Sequence, residues 1–393
     1  MASYSERYPL HDAATRGDIE AVSRLLKSGM HVDNKDDRGL TPLHCACWSD
    51  VLGLEGVCKL LLNTGASVYA TTTDTHSTPL HFCCSISYTV TCSGRPKGIN
   101  YFGNCLLLNP FEDLSLAEQS RELSRTQQQL MLINSRLEIM RLLFSNGADP
   151  NARNSKYASP LHVAAVSGGA GVLVKMLLDH GAIADAVEQY GETPLGIATR
   201  VGSGDSLMEV ARVLVESGTA DVNVNLGETG DTPLHRAVYK NNRDLLCMLL
   251  DHGGDLSVQN KRGYGLLHVV ARNDFHDLAR YLIADRGADA NSLDKVGATA
   301  LHCAAYWGNW STLKVLLQLG GDHRMRKDAD GSTALDIAST QGHFDCVNVI
   351  HDYLLNWYYL LPVRLLLLRM SEWFVTDLLY LEDTILSFVT FTR

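Results

Sequence analysis

The chain has 393 residues, 46% of them apolar and 20% charged, and a net charge of −10. That composition belongs to a folded chain rather than a disordered one, and the acidic balance argues against nucleic acid as the main partner, since phosphate binding is carried by Lys and Arg. The N-terminal stretch MASYSERYPLH has no apolar segment of the kind that opens a secretory signal, so the ten cysteines are expected as free thiols in a reducing compartment, the cytosol or the nucleus.

A tetrapeptide close to Thr-Pro-Leu-His recurs along the chain. It reads Tyr8-Pro-Leu-His11, TPLH at 41–44 and 78–81, SPLH at 159–162, TPLG at 193–196, TPLH at 232–235, GLLH at 265–268, TALH at 299–302 and TALD at 333–336. Residues 299–332 show what each copy encodes. Thr299 is placed to N-cap a helix, and in sister copies proline follows at the first helical position, where its missing N–H costs nothing. Leu301, Ala304 and Ala305 form an apolar stripe, and Gly308 ends the helix. Leu313, Leu316 and Leu317 then give a second, amphipathic helix, which Gly320-Gly321 stops before a polar turn.

A unit near 33 residues, repeated nine times, resembles the ankyrin repeat. The resemblance covers about Tyr8 to Tyr353 apart from one insertion. It implies an all-α solenoid over residues 1–353, with helix–turn–helix units starting near 8, 41, 78, 159, 193, 232, 265, 299 and 333 and hairpin loops projecting between them. The motif histidines are expected to bond to turn backbone rather than to a metal, because successive copies lie one helix pair apart. Gly196 and Asp336 replace that histidine, so their junctions are expected to be weaker or differently bonded.

The insertion, 86–133, falls inside the third repeat, between a helix starting at Pro79 and its partner Arg136–Phe144. Ser115 and Glu118 make a capping box, after which Leu116, Leu123, Leu130 and Leu137 recur every seven residues. The complementary positions Ser120, Gln127, Asn134 and Arg141 are polar, so a single stripe lying against the solenoid is expected rather than a coiled-coil dimer, on a helix that runs on into the second helix of the repeat. His76, His81, Cys83, Cys84, Cys92 and Cys105 surround it without the paired spacing that zinc asks for.

The tail, 354–393, is apolar and aromatic, but its longest uncharged run, 353–363, is too short to cross a bilayer. Phe374, Leu378, Leu381, Ile385 and Phe388 are spaced as the apolar face of an amphipathic helix, with Asp377, Glu382 and Asp383 largely elsewhere. A helical cap over the last repeat is the expected role; partner docking and peripheral membrane contact are the alternatives. The position of the tail resembles that of the ankyrin-repeat SOCS-box proteins, which would imply a substrate adaptor of a ubiquitin ligase. It has no cysteine and a single proline, Pro362, where that box asks for Leu-x3-Cys and Leu-Pro-x-Pro.

No phosphate-binding loop and no nucleophile elbow occur, so neither catalysis nor a cofactor is expected. The resemblance implies a monomeric scaffold or adaptor that holds a protein partner on the concave ankyrin surface. Two rows of side chains are candidates for the contact. The hairpin tips carry Asp36, Tyr157, Tyr190, Lys261, Arg262 and Tyr264; the positions after each Ala-Ala pair carry Trp48, Tyr239, Arg272, Tyr306 and Trp307. Aromatic and Arg side chains are what interface hot spots favour, and the site is expected on Tyr239, Arg272, Tyr306 and Trp307, flanked by Lys261, Arg262 and Tyr264. Asn151, in Gly-Ala-Asp-Pro-Asn with Leu143 eight residues upstream, matches the hairpin asparagine that the family resemblance implies can be hydroxylated.

Overall fold

The computed structural model describes residues 3–85, 125–167, 171–201, 205–322 and 331–355. The chain divides into two compact units, Met1–Asn260 and Lys261–Arg393. In the first, after a short helix Tyr4–Arg7, helices pair as Pro9–Arg16 with Ile19–Lys27, Pro42–Trp48 with Glu55–Asn63 and Pro79–Cys84 with Arg125–Ser145. The pairs Pro160–Val166 with Gly171–Asp179, Pro194–Val201 with Asp205–Glu216 and Pro233–Tyr239 with Arg243–Asp251 complete it. In the second, Leu266–Asn273 pairs with His276–Arg280, Ala300–Trp307 with Trp310–Gln318, and Ala334–Gln341 with a helix over 344–355. Within each unit, first helices pack on first helices and second helices on second. This arrangement is an ankyrin solenoid.

The motif explains the junctions. Thr41 is extended and Pro42 opens the helix. The Nε2 of His44 faces the Ser77 carbonyl at 3.0 Å, and its Nδ1 lies 3.1 Å from the Thr41 N–H and 2.8 Å from the Thr41 hydroxyl. A carbonyl only accepts, so Nε2 carries the proton and Nδ1 takes the cap donors. His81 does the same with the Ala158 carbonyl at 3.1 Å, across the whole insertion, and His162 with that of Glu192 at 3.2 Å. Burial pushes all three imidazoles down to about 4, and protonating Nδ1 would also set one donor against another.

Where the histidine is missing, other groups act. A Cβ on Gly196 would lie 2.7 Å from Leu226 and 3.1 Å from Glu192. The space instead admits a buried pair: Arg236 Nη1 and Nη2 donate to Glu192 at 2.6 and 2.5 Å, and Nη1 also reaches the Gly196 carbonyl at 2.6 Å. At Asp336 the carboxylate takes over the cap, accepting from the Thr333 N–H at 2.9 Å and hydroxyl at 2.7 Å. A π-turn, Tyr281–Asp285, follows His276–Arg280. The closing bond there runs Ala288 to Leu282, one residue longer than Gly254 to Leu249 in the preceding repeat, so the turn absorbs an extra residue.

At Leu130 the structure differs from the leucine-stripe expectation. Ser115, Leu116, Glu118 and Leu123 lie outside the described residues, as does the tail from 356 on, and the helix Arg125–Ser145 runs on as the second helix of its repeat, as expected. Leu130 is 55% exposed, and the buried face is Arg136, Ile139, Met140 and Leu143. The heptad register loses because the repeat presents its own groove, which accepts the apolar positions of 136–143. Arg136 is the unexpected member. Its Nη1 donates to the carbonyls of Cys47 at 2.8 Å, Phe82 at 3.0 Å and Cys83 at 3.0 Å, and its Nη2 donates to that of Trp48 at 3.2 Å and to Asp50 at 2.8 Å. Gly17, Gly308 and Gly342 end their helices in the left-handed conformation; Ser49 and Ser85 are extended instead, which leaves those last carbonyls open. One guanidinium closes the ends of two helices.

Candidate protein-binding surface

The second unit brings Arg272, Tyr306 and Trp307 together. Arg272 and Trp307 end the first helices of successive repeats, and the two helices pack side by side. The Arg272 guanidinium lies 5.1 Å from the centre of the Trp307 ring. Tyr306 meets Trp307 edge-on, with centroids 5.3 Å apart and planes at 79°. Both rings face solvent, Tyr306 49% and Trp307 50% exposed. Neither is needed to fill the core, which here is Leu301, Ala304 and Ala305.

The backbone beneath is fixed. Gly308 turns the chain at φ +74°, and a Cβ there would lie 2.7 Å from the His343 ring. The Nε2 of His343 faces the Tyr306 carbonyl at 3.0 Å, and the Asn309 amide donates to the carbonyls of Ala271 and Arg272 at 2.7 and 2.9 Å. Asp274 accepts from the Thr312 N–H at 3.0 Å. The turns of three repeats are therefore tied to one another.

The other expected contact residues are placed differently. Lys261 and Arg262 are exposed at a hairpin tip, and the Lys261 carbonyl accepts from Lys295 Nζ at 2.5 Å. Tyr264 is half-buried, stacked on His268 with centroids 6.0 Å apart, so part of its ring serves the repeat. Tyr239, 38% exposed, belongs to the first unit and ends the helix Pro233–Tyr239. Asp36 is buried and not a tip: it accepts from the N–H groups of Arg38 and Leu40 at 2.9 and 2.8 Å and from Tyr4 Oη at 2.9 Å. Trp48 is half-buried, edge-on to Phe82 at 6.2 Å. In the second unit two exposed aromatics fall outside the expected set, Trp310 at 46% and Phe344 at 73%. Each opens a second helix directly after a left-handed glycine turn, where the repeat pattern puts solvent, and that position was readable.

Asn151 clamps consecutive hairpins: its amide donates to the Gly181 carbonyl at 2.9 Å, and its oxygen accepts from the Ile183 N–H at 2.8 Å. Asn223 and Asn291 make the same pair of bonds to their next repeats. Among the described residues no group of three or more His, Cys, Asp or Glu could hold a metal ion, and no helix is long and apolar enough to cross a membrane. Cys92 and Cys105 lie outside the described residues. Burial drives the Cys45 and Cys83 thiols up to about 12, which keeps them protonated and unreactive.

Helix pairs stacked first on first and second on second within each unit define an ankyrin-type solenoid, with an exposed aromatic cluster in the second unit. A family model described as ankyrin repeats (3 copies) matches residues 2–72, 130–225 and 267–356, and one described as ankyrin repeats (many copies) matches residues 217–270. The chain belongs to the ankyrin repeat family. It is 39% identical over 111 residues to the inactive serine/threonine-protein kinase TEX14 of Bos taurus, covering 28% of this chain and 7% of that protein. It is 29% identical over 171 residues to the nuclear factor NF-kappa-B p105 subunit of Gallus gallus, 43% of this chain and 17% of that one. To the neurogenic locus notch homolog protein 1 of Homo sapiens it is 28% identical over 152 residues, 39% of this chain and 6% of the relative. The chain thus spans a small part of the length of these relatives. Ankyrin repeats are generally protein–protein interaction modules, and the family is typically non-enzymatic.

Proposed function

We propose that the chain is a non-enzymatic scaffold or adaptor that holds a protein partner through Arg272, Tyr306 and Trp307. The observation that carries this reading is the guanidinium held 5.1 Å from an exposed Trp ring that a Tyr meets edge-on. Rigid rings lose little entropy on binding, and the cation is already positioned for a carboxylate at the cluster's edge. An acidic peptide segment with an apolar anchor suits that chemistry. Lys261 and Arg262 offer further positive charge in the same unit. The buried free thiols support a reducing compartment, the cytosol or nucleus. Asn151 is a candidate for hydroxylation on the strength of the family resemblance.

Affinity purification with mass spectrometry tests this. The Tyr306→Ala/Trp307→Ala chain is compared with wild type and with Tyr157→Ala/Tyr190→Ala, which removes exposed rings from the hairpin tips of the first unit. A protein that contacts the cluster is lost from the first variant and kept by the second, with a deficit of roughly 2 kcal/mol or more when its affinity is measured. Retention of every interactor by the first variant, or their loss together with a large fall in melting temperature, would refute the assignment.

A further inference from the structure

Two further exposed rings, Trp310 and Phe344, lie in the same unit as the cluster just described. They open the second helices of successive repeats, and the basic side chain Lys314 lies four residues after Trp310, on the same face of its helix. Phe344, Trp310 and Lys314 are all exposed, as is Arg272. A surface of aromatic rings beside isolated cations is complementary to an apolar stripe bordered by carboxylates.

The chain carries such a segment itself. Residues 371–393 hold Phe374, Leu378, Leu381, Ile385 and Phe388 at helical spacing, with four acidic residues and one basic one. The helix over 344–355 starts at Phe344, so Leu355 is about 16 Å further along at 1.5 Å per residue. The 18 residues 356–373 can span at most about 60 Å, so chain length allows a return to Phe344. A tether of that length presents its segment at an effective concentration on the order of millimolar, so even a micromolar contact would be mostly closed.

We propose that residues 374–388 dock on the Trp307–Trp310–Phe344 surface of the same chain and compete there with the external partner. This rests on the reading that the surface takes acidic, apolar segments. Asp377, Glu382 and Asp383 then border Arg272 and Lys314. Asp277 and Asp345, also exposed, follow His276 and Phe344 and add negative charge beside the surface.

The test uses the full chain and a labelled peptide of residues 371–393. Leu378→Asp/Leu381→Asp breaks the tethered stripe without touching the repeats. That variant should bind the peptide with micromolar affinity, at least tenfold more tightly than wild type, whose own segment occupies the surface. Adding Trp310→Ala/Phe344→Ala should weaken the peptide at least tenfold, and raising the salt should weaken it further. Equal binding by wild type and variant, no binding by either, or binding indifferent to Trp310 and Phe344 would overturn the proposal. A lowered melting temperature in the Leu378/Leu381 variant with no peptide binding would also overturn it, by making the segment a cap on the last repeat. If the peptide fails while interactors are still lost with Tyr306 and Trp307, only the tail assignment falls.

Discussion

Removing the guanidinium of Arg136 is the sharpest test of how the third repeat is held. Its side chain is 3% exposed, and it donates to four carbonyls and one carboxylate, all at 2.8–3.2 Å. The carbonyls sit at the ends of two helices, where the backbone dipole adds negative potential. Arg136→Met keeps most of the stem and its packing, so the loss isolates the charged head. Hydrogen bonds to charged groups contribute about 1.5–3 kcal/mol each when counted singly. They are not additive here, because the guanidinium pays one desolvation cost for all of them and water can re-enter beside Asp50, whose side chain is 40% exposed. Breaking a buried ionic network typically costs about 3–5 kcal/mol, and we expect that range. Arg136→Lys keeps the charge but concentrates its three donors on one nitrogen, which cannot span partners held by two, so it should recover part of the loss. Urea unfolding of the full chain gives the magnitude, and hydrogen exchange gives the place: protection should fall first in 42–48 and 79–84, since each repeat feels mainly its neighbours. A cost under about 1 kcal/mol for Arg136→Met, or uniform loss of protection, would refute the claim that this side chain replaces the missing glycine turns.

Acid should unlock the same stack. The folded imidazoles of His44, His81 and His162 titrate near 4 against 6.5 for an ordinary histidine, so the unfolded chain binds more protons between those values. Stability is therefore complete above pH 6.5, declines as pH falls to 4, and stops declining from this source below it. The loss at pH 5 is about 2 kcal/mol per histidine, read from urea midpoints across pH. Gly308→Ala should cost more than about 1 kcal/mol by melting, since the substituent meets both a positive φ and the His343 ring. Glu192→Leu should cost about 3–5 kcal/mol by leaving Arg236 buried without its carboxylate, and adding Arg236→Met should restore much of it in a double-mutant cycle. Peptide mass spectrometry after exposure to an active asparaginyl hydroxylase should find added oxygen on Asn151; its absence removes that site.

The repeat itself was legible because each of its steps is a local rule. A hydroxyl before proline caps a helix, a glycine after alanines turns it, and the same registers return along the chain, so Thr41, Pro42 and His44 carry their geometry in their identity. The departures were legible only as departures. Gly196 announces a changed junction, but nothing in its neighbourhood names Arg236, which lies 40 residues on and reaches it through space. The leucine spacing at 116–137 is a true seven-residue pattern, yet a period selects a face only when a partner surface exists for it. The groove of the third repeat selected Arg136, Ile139, Met140 and Leu143 instead.

The binding surface divides the same way. Arg272, Tyr306 and Trp307 could be picked from position because the residues after Ala-Ala leave the core in every copy, and a ring there has no packing duty. Tyr264 stood on equally good grounds and yet half of its ring is spent on His268, a contact between residues four apart that the pattern does not forbid or demand. Trp310 and Phe344 follow the opposite logic. Their position, first in a second helix, holds Ile19 in the first repeat, which is also exposed. An apolar residue there looks like part of the amphipathic count until the turn before it is placed. Once Gly308 and Gly342 are known to reverse the chain, position alone sends both rings outward, and the question changes from what they pack under to what packs on them.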